Sequence, residues 1–241
     1  MSKAKYITVV LVLSLCLMGA GYAAWSETVT INNTAETGNL TVEFVQTAIW
    51  PYIADFQQMS TMPYNVPSPI VNSEIIHGAK VTTVNIDHMF PGSWTVFEAR
   101  IENLGTIPAK GDNIEVIFSP GSSQYLKEQM IVMGEIQHFT PDSSVPGGFK
   151  LVNSSGFLYA QLKDLGLCLN NAISGWEVKP GDIITFDVSD ETRSKIAEKI
   201  PGYDETLQNS LYFWLPSTAD NNTENQSVKF TIHLNFKQFN N

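Results

Sequence analysis

The chain has 241 residues, 24 of them acidic and 14 basic, for a net charge of −10. That length suits one large domain with a substantial core, or two small ones. The acidic balance excludes nucleic acid and anionic membrane surfaces as partners, because both repel a polyanion. Only 16% of residues are charged, and Asn, Thr, Ser and Gly are plentiful, as in many all-β secreted proteins.

Lys3 and Lys5 form a short positive segment, Tyr6 to Met18 an apolar run, and Gly19 to Ala24 a stretch of small residues. This is the layout of a secretory signal peptide. An uncleaved anchor competes with it, because residues 6–26 carry no charge and a spanning helix needs about 20 apolar positions. The small, weakly apolar Gly-Ala-Gly-Tyr-Ala-Ala end suits a peptidase groove better than lipid. Cleavage between Ala24 and Trp25 divides the chain into a leader, 1–24, and a mature domain, 25–241; a cut after Ala23 also fits. Removing the leader takes away two lysines and no acid, so the mature net charge is −12. Cys16 leaves with it, and Cys168 remains as a single thiol with no internal disulfide. Leu13-Ser14-Leu15-Cys16 loosely matches a lipidation motif, but Leu15 is too large for the residue before a modified Cys.

Beyond the cut the pattern turns to period two. Trp25, Val29 and Ile31 share one face of a strand, with Glu27 the exception. Leu40, Val42 and Phe44 alternate with Thr41 and Glu43 in a half-buried strand. From Ile49 to Pro69 four prolines suppress regular structure and predict a long loop. Strands resume with Val81, Val84 and Ile86, and Pro91-Gly92 makes a turn. In the next strand Phe97, Ala99 and Ile101 face one way and Glu98, Arg100 and Glu102 the other. Asn103-Leu-Gly105 is turn chemistry, and Ile114, Val116 and Phe118 make a further strand. A short helix fits Gln124–Met133, while 157–165 is ambiguous. Pro180-Gly181-Asp182 turns into Ile184, Phe186 and Val188. Asp190 caps a helix that Pro201-Gly202 stops. Leu211, Phe213 and Leu215 form a strand, and Val228 to Phe236 alternates most cleanly of all. With some eight strands, one firm helix and no βαβ rhythm, the expected fold is an all-β, jelly-roll-like antiparallel β-sandwich with one or two short helices.

The junction Gly-Ala-Gly-Tyr-Ala-Ala-Trp25-Ser-Glu, then Thr37-Gly-Asn-Leu-Thr-Val-Glu-Phe44, resembles the start of the TasA/camelysin family. So do Phe90-Pro-Gly-Ser-Trp94, Phe97-Glu-Ala-Arg-Ile-Glu-Asn-Leu-Gly-Thr-Ile-Pro-Ala-Lys110 and the closing Phe230 to Phe239. The resemblance covers about the first 45 residues, the block 84–118 and the last strand. It implies a secreted protein cut before Trp25 by a dedicated signal peptidase of the SipW type. It also implies a jelly-roll subunit of extracellular fibres, in which the N-terminal strand of one copy completes the sheet of the next. Trp25, Val29 and Ile31 would fill the acceptor, since an unpaired strand and an unpaired sheet edge satisfy each other. The competing expectation is that this strand pairs within its own sheet.

Candidate chemistry is sparse. Glu135-Ile-Gln-His138 lacks the second helical histidine of a zinc protease, and no Gly-x-Ser-x-Gly elbow occurs. Cys168 sits among leucines, as an inert buried thiol does. Asp220 to Asn225 faintly resembles a calcium loop without its central Gly. Trp50 and Tyr52, or Tyr212 and Trp214, could stack on sugars or simply cover the core. The expectation is therefore a self-assembling exported structural protein, not an enzyme, without cofactor or metal. A monomeric polysaccharide-binding module ranks second, and a camelysin-like metalloprotease third.

Overall fold

The computed structural model describes residues 3–24, 38–52, 70–75, 80–187, 190–198 and 211–239. Two compact units divide the chain, Met1–Thr37 and Gly38–Asn241. In the first, α1 (Lys3–Ala24) spans residues 3–24 of the expected leader. Among the described residues no helix is long and apolar enough to cross a membrane. Ala24 is the last residue of α1; Trp25, Val29 and Ile31 lie outside the described residues, so the expected cut and donor strand are not placed.

The second unit is the antiparallel β-sandwich that the alternation predicts. Its strands are β1 (Val42–Tyr52), β2 (Ile70–Ile75), β3 (Val81–Asp87), β4 (Trp94–Asn103), β5 (Ala109–Phe118), β6 (Ile131–Pro141) and β7 (Phe149–Gln161). These are followed by β8 (Glu177–Val178), β9 (Ile183–Asp187), β10 (Leu211–Trp214) and β11 (Ser227–Gln238). One sheet, A, runs β1-β4-β10-β6-β7, and β9 lies in the same slot as β10, between β4 and β6. β10 pairs with the first half of β4 through Leu211↔Phe97 and Trp214↔Trp94, and β9 with its second half through Arg100↔Thr185 and Glu102↔Ile183. The other sheet, B, runs β2-β3-β11-β5-β8. The last strand thus inserts between β3 and β5, a crossing connectivity of jelly-roll type.

Alternation places the core between the sheets. In β4, Phe97, Ala99 and Ile101 point inward and Glu98, Arg100 and Glu102 outward, as the spacing predicts. Phe230 of sheet B joins the layers: its ring lies 5.9 Å from that of Phe213 in sheet A and 5.7 Å from that of Phe118. Tyr212 is fully buried on the other face of sheet A, against Trp94 and near Ile196. It covers a second small core and has no face free for a sugar.

A few short helices decorate the sandwich, and three of those among the described residues are α-helical. α2 (Gln124–Gln129) begins at Ser123, whose hydroxyl accepts the Leu126 N–H. It ends at Met130, which is already extended, so the helix expected through Met133 gives way to β6. α3 (Leu165–Ile173) was not foreseen, and α4 (Asp190–Ala197) starts where Asp190 predicts. Of the loop expected from Ile49 to Pro69, residues 49–52 belong instead to β1, which continues through Pro51 to Tyr52, and residues 53–69 lie outside the described residues. Among the described residues β1 is an edge strand, where proline is tolerated because the outer N–H is not needed for a ladder. β2, unforeseen, falls just after the proline-rich segment.

Phe230→Ala removes the ring shared by both layers. It is expected to destabilise the domain by about 3–5 kcal/mol, as for large core aromatics, measured by urea unfolding.

Candidate functional site

Sheet edges carry unpaired backbone groups that can take up a further strand, so the edges are one place to look for a site. Sheet A ends in β7, a thirteen-residue strand that among the described residues pairs only with β6. The two strands meet through a tight connection. Asp142 N–H donates to Gly148 O and Gly148 N–H to Val145 O, with Gly147 and Gly148 both at positive φ. The Asp142 carboxylate accepts the Ser144 hydroxyl and backbone N–H, at 2.6 and 2.9 Å, and these bonds hold its pKa below the usual carboxylate value.

The inner side of β7 is spent on the core: Phe157 packs into it, and Asn153 points at His138. Leu158 packs against the second small core, and four other apolar side chains are open to solvent. Phe149, Leu151, Val152 and Tyr159 are 38, 47, 50 and 43% exposed. Register shifts flank a regular stretch, Gly134↔Phe157 to His138↔Asn153, in which five consecutive β6 residues each have a partner. A long, partly apolar edge of this kind is the usual place for strand addition.

The other edges are less available. β1 carries Pro51, which cannot donate to an added strand. β2 has six residues against the thirteen of β7. The β5 edge of sheet B is covered by β8 and α3.

β7 is anchored by a buried polar cluster that the sequence did not reveal. His138, on β6, is 1% exposed, and its Nε2 lies 2.8 Å from Asp182 Oδ2. Asn153 presents its amide N–H to Nδ1 at 3.0 Å, which makes Nδ1 the acceptor and Nε2–H the donor to Asp182. Trp176 stacks on the imidazole at 5.7 Å. Asp182 Oδ2 also accepts the Lys179 N–H at 2.7 Å. Both ring nitrogens are occupied and the pair is closed to solvent, so it ties β6, β7 and the β8–β9 turn together, with Asp182 Oδ1 left without a hydrogen-bond partner. On the outer face of the sheet Glu135 is likewise occupied, accepting from Gln137 Nε2 at 3.2 Å and from the Ser154 hydroxyl.

The remaining sequence candidates are spent locally. Asp220 Oδ1 accepts the Asn222 N–H and its carbonyl accepts the Thr223 hydroxyl, which closes a local turn. Among the described residues no group of three or more His, Cys, Asp or Glu could hold a metal ion. A cleft of 270 Å³ opens on the outer face of sheet A, lined by Gln46, Glu98, Arg100, Phe139, Thr185 and Asp187. The β7 edge and the His138 cluster lay in stretches where the sequence showed only weak patterning. The run Asn153-Ser154-Ser155-Gly156 interrupts the apolar alternation of β7 and conceals the strand. Comparison with family models, curated proteins and solved structures returned no match.

Asp182→Ala would leave His138 Nε2–H and the Lys179 N–H without their acceptor. The expected cost is about 3 kcal/mol, because unpaired buried donors keep their full desolvation penalty, read as a lowered Tm. Burial, and to a lesser degree the Asp164 carboxylate, pushes the Cys168 thiol above its ordinary pKa. Alkylation by iodoacetamide is therefore expected to rise at higher pH for Cys168 than for free cysteine, since only the thiolate reacts.

Proposed function

We propose that the chain is an exported structural protein that assembles into extracellular fibres of a cell surface or biofilm matrix. One subunit's N-terminal strand, bearing Trp25, Val29 and Ile31, adds to the β7 edge of the next. The observation that carries this reading is the β7 edge: thirteen residues, one-sided among the described residues, with four large apolar side chains open to water. The leader supports export, and the resemblance to the TasA/camelysin family supports both the cut before Trp25 and the fibre. Cleavage by a dedicated signal peptidase frees the strand, so polymerisation waits for export. A head-to-tail contact between two different surfaces repeats without closing, which yields filaments rather than a ring.

A second reading, a monomeric module that binds matrix polysaccharide, is favoured by the sheet A cleft. Its amide, hydroxyl, carboxylates and guanidinium are groups that pair with sugar hydroxyls, and Phe139 supplies an apolar wall.

Electron microscopy of the purified mature protein separates the two. The fibre reading expects filaments that vanish when residues 25–31 are deleted. It also expects Leu151→Lys with Val152→Lys to abolish them while leaving the Tm nearly unchanged, because both positions are exposed. Persistence of filaments after the deletion overturns strand donation. A monomer that binds polysaccharide, and loses that binding in Arg100→Ala, establishes the second reading.

A further inference from the structure

We propose that α3 is an edge guard, in which Asn170 takes the place of a neighbouring strand on β5 and so denies the β5 edge of sheet B to strand addition by a second copy of the chain. The geometry is that of a ladder. The Ile114 N–H donates to Asn170 Oδ1 at 2.6 Å, and Asn170 Nδ2 donates to the Ile114 carbonyl at 2.7 Å. In an antiparallel pair a facing residue would exchange this same pair of bonds with Ile114 through its own backbone. A side-chain amide has the donor and acceptor of a peptide group, which makes asparagine able to imitate one. Asn170 Nδ2 also donates to the Gly166 carbonyl one turn earlier, at 2.9 Å, which holds the mimic in position on its own helix.

Coverage extends along the strand. β8 pairs with Ala109 and Lys110. At Gly111 a Cβ would fall 2.6 Å from Ile173 Cδ1, so the end of α3 is seated directly on β5. At Gly166 a Cβ would stand 3.5 Å from the Val116 nitrogen, so the start of α3 covers the next outward-facing position. The buried side chains Leu165, Leu169, Ala172 and Ile173 anchor the helix in the main core. An uncovered β5 would offer a ten-residue edge with Ile117 exposed beside it, a template for lateral aggregation. The inference stands apart from the fibre reading. Where that reading holds, the guard keeps the β5 edge from competing with β7 for the incoming strand.

The test uses the full chain with Cys16→Ser and Cys168→Ser, and Glu115→Cys as a reporter on the exposed face of β5. Hydrogen exchange is read at the Ile114 amide, and dimers are trapped with a bis-maleimide. Asn170→Ala is expected to speed Ile114 exchange about tenfold, the equivalent of one lost hydrogen bond. Cross-linked dimer is expected to rise well above the Asn170 control. Should Asn170→Ala lose its β-sheet circular dichroism, Asn170→Asp, which keeps an acceptor for the Ile114 N–H and loses the donor, carries the same test with a smaller rise. A folded variant whose Ile114 amide is deprotected but whose dimer yield stays at the control level overturns the proposal. So does undiminished Ile114 protection, and so does unfolding of both variants, which would make Asn170 a residue of the core rather than a guard. None of these outcomes depends on residues 25–31, so failure here leaves strand donation untouched.

Discussion

The sandwich depends on one crossing, where the chain leaves sheet B at Val178 and enters sheet A at Ile183. Pro180 and Gly181, the latter at φ +82°, bend the backbone, and two buried side chains hold the bend. Asn103, the last residue of β4, exchanges backbone bonds with the turn: its carbonyl accepts the Gly181 N–H and its N–H donates to Asp182 O. Its side chain donates to Val178 O at 2.8 Å and Ile107 O at 3.0 Å. Asp182 reaches the other way, to His138 in the middle of β6. Strands from both sheets therefore meet at one network with little solvent access. In such surroundings each bond that is made rigidifies the fold and is costly to break, although Asp182 Oδ1 is left without a partner.

The network explains why β9 and β10 can share a slot. Each is short, with five and four residues, and neither alone spans the gap between β4 and β6. The Asp182 crossing sets the register of β9 at one end, while the aromatic contact of Tyr212 with Trp94 sets that of β10 at the other. Sheet A is thereby continuous from β1 to β7, and the β7 edge inherits its position from a buried histidine and asparagine rather than from a turn alone.

The two sheets treat their edges differently, and the proposed head-to-tail assembly would draw on this asymmetry. A sandwich open on every side would associate without direction, and one closed on every side would stay monomeric. Here β5 is screened by β8, α3 and an asparagine that imitates a strand, and β1 contains a proline. β7 keeps its exposed apolar side chains, with bulges on either side of its regular stretch limiting how long an added strand can be. Covering one edge and leaving another is how directionality can be built from a single chain.

Much of the fold was legible in the sequence, for a simple reason: burial on one face of a pleated strand imposes period two. The alternation of β4 and β11, the Pro91-Gly92 turn and the start of α4 at Asp190 are all local features. The leader's composition is local as well. β7, α3 and the His138–Asp182–Asn153 cluster were not legible, because each depends on partners far apart in the chain. Ser154, Ser155 and Gly156 carry no alternation of their own, and only β6 beside them makes the strand. Asn170 is an ordinary helical asparagine until the backbone of Ile114, 56 residues away, comes within reach. By itself the sequence determined which residues alternate and therefore that sheets form. Which edge is left open and which is guarded was decided only when tertiary packing brought helix, turn and strand together, since an edge is a property of what a strand lacks as a neighbour.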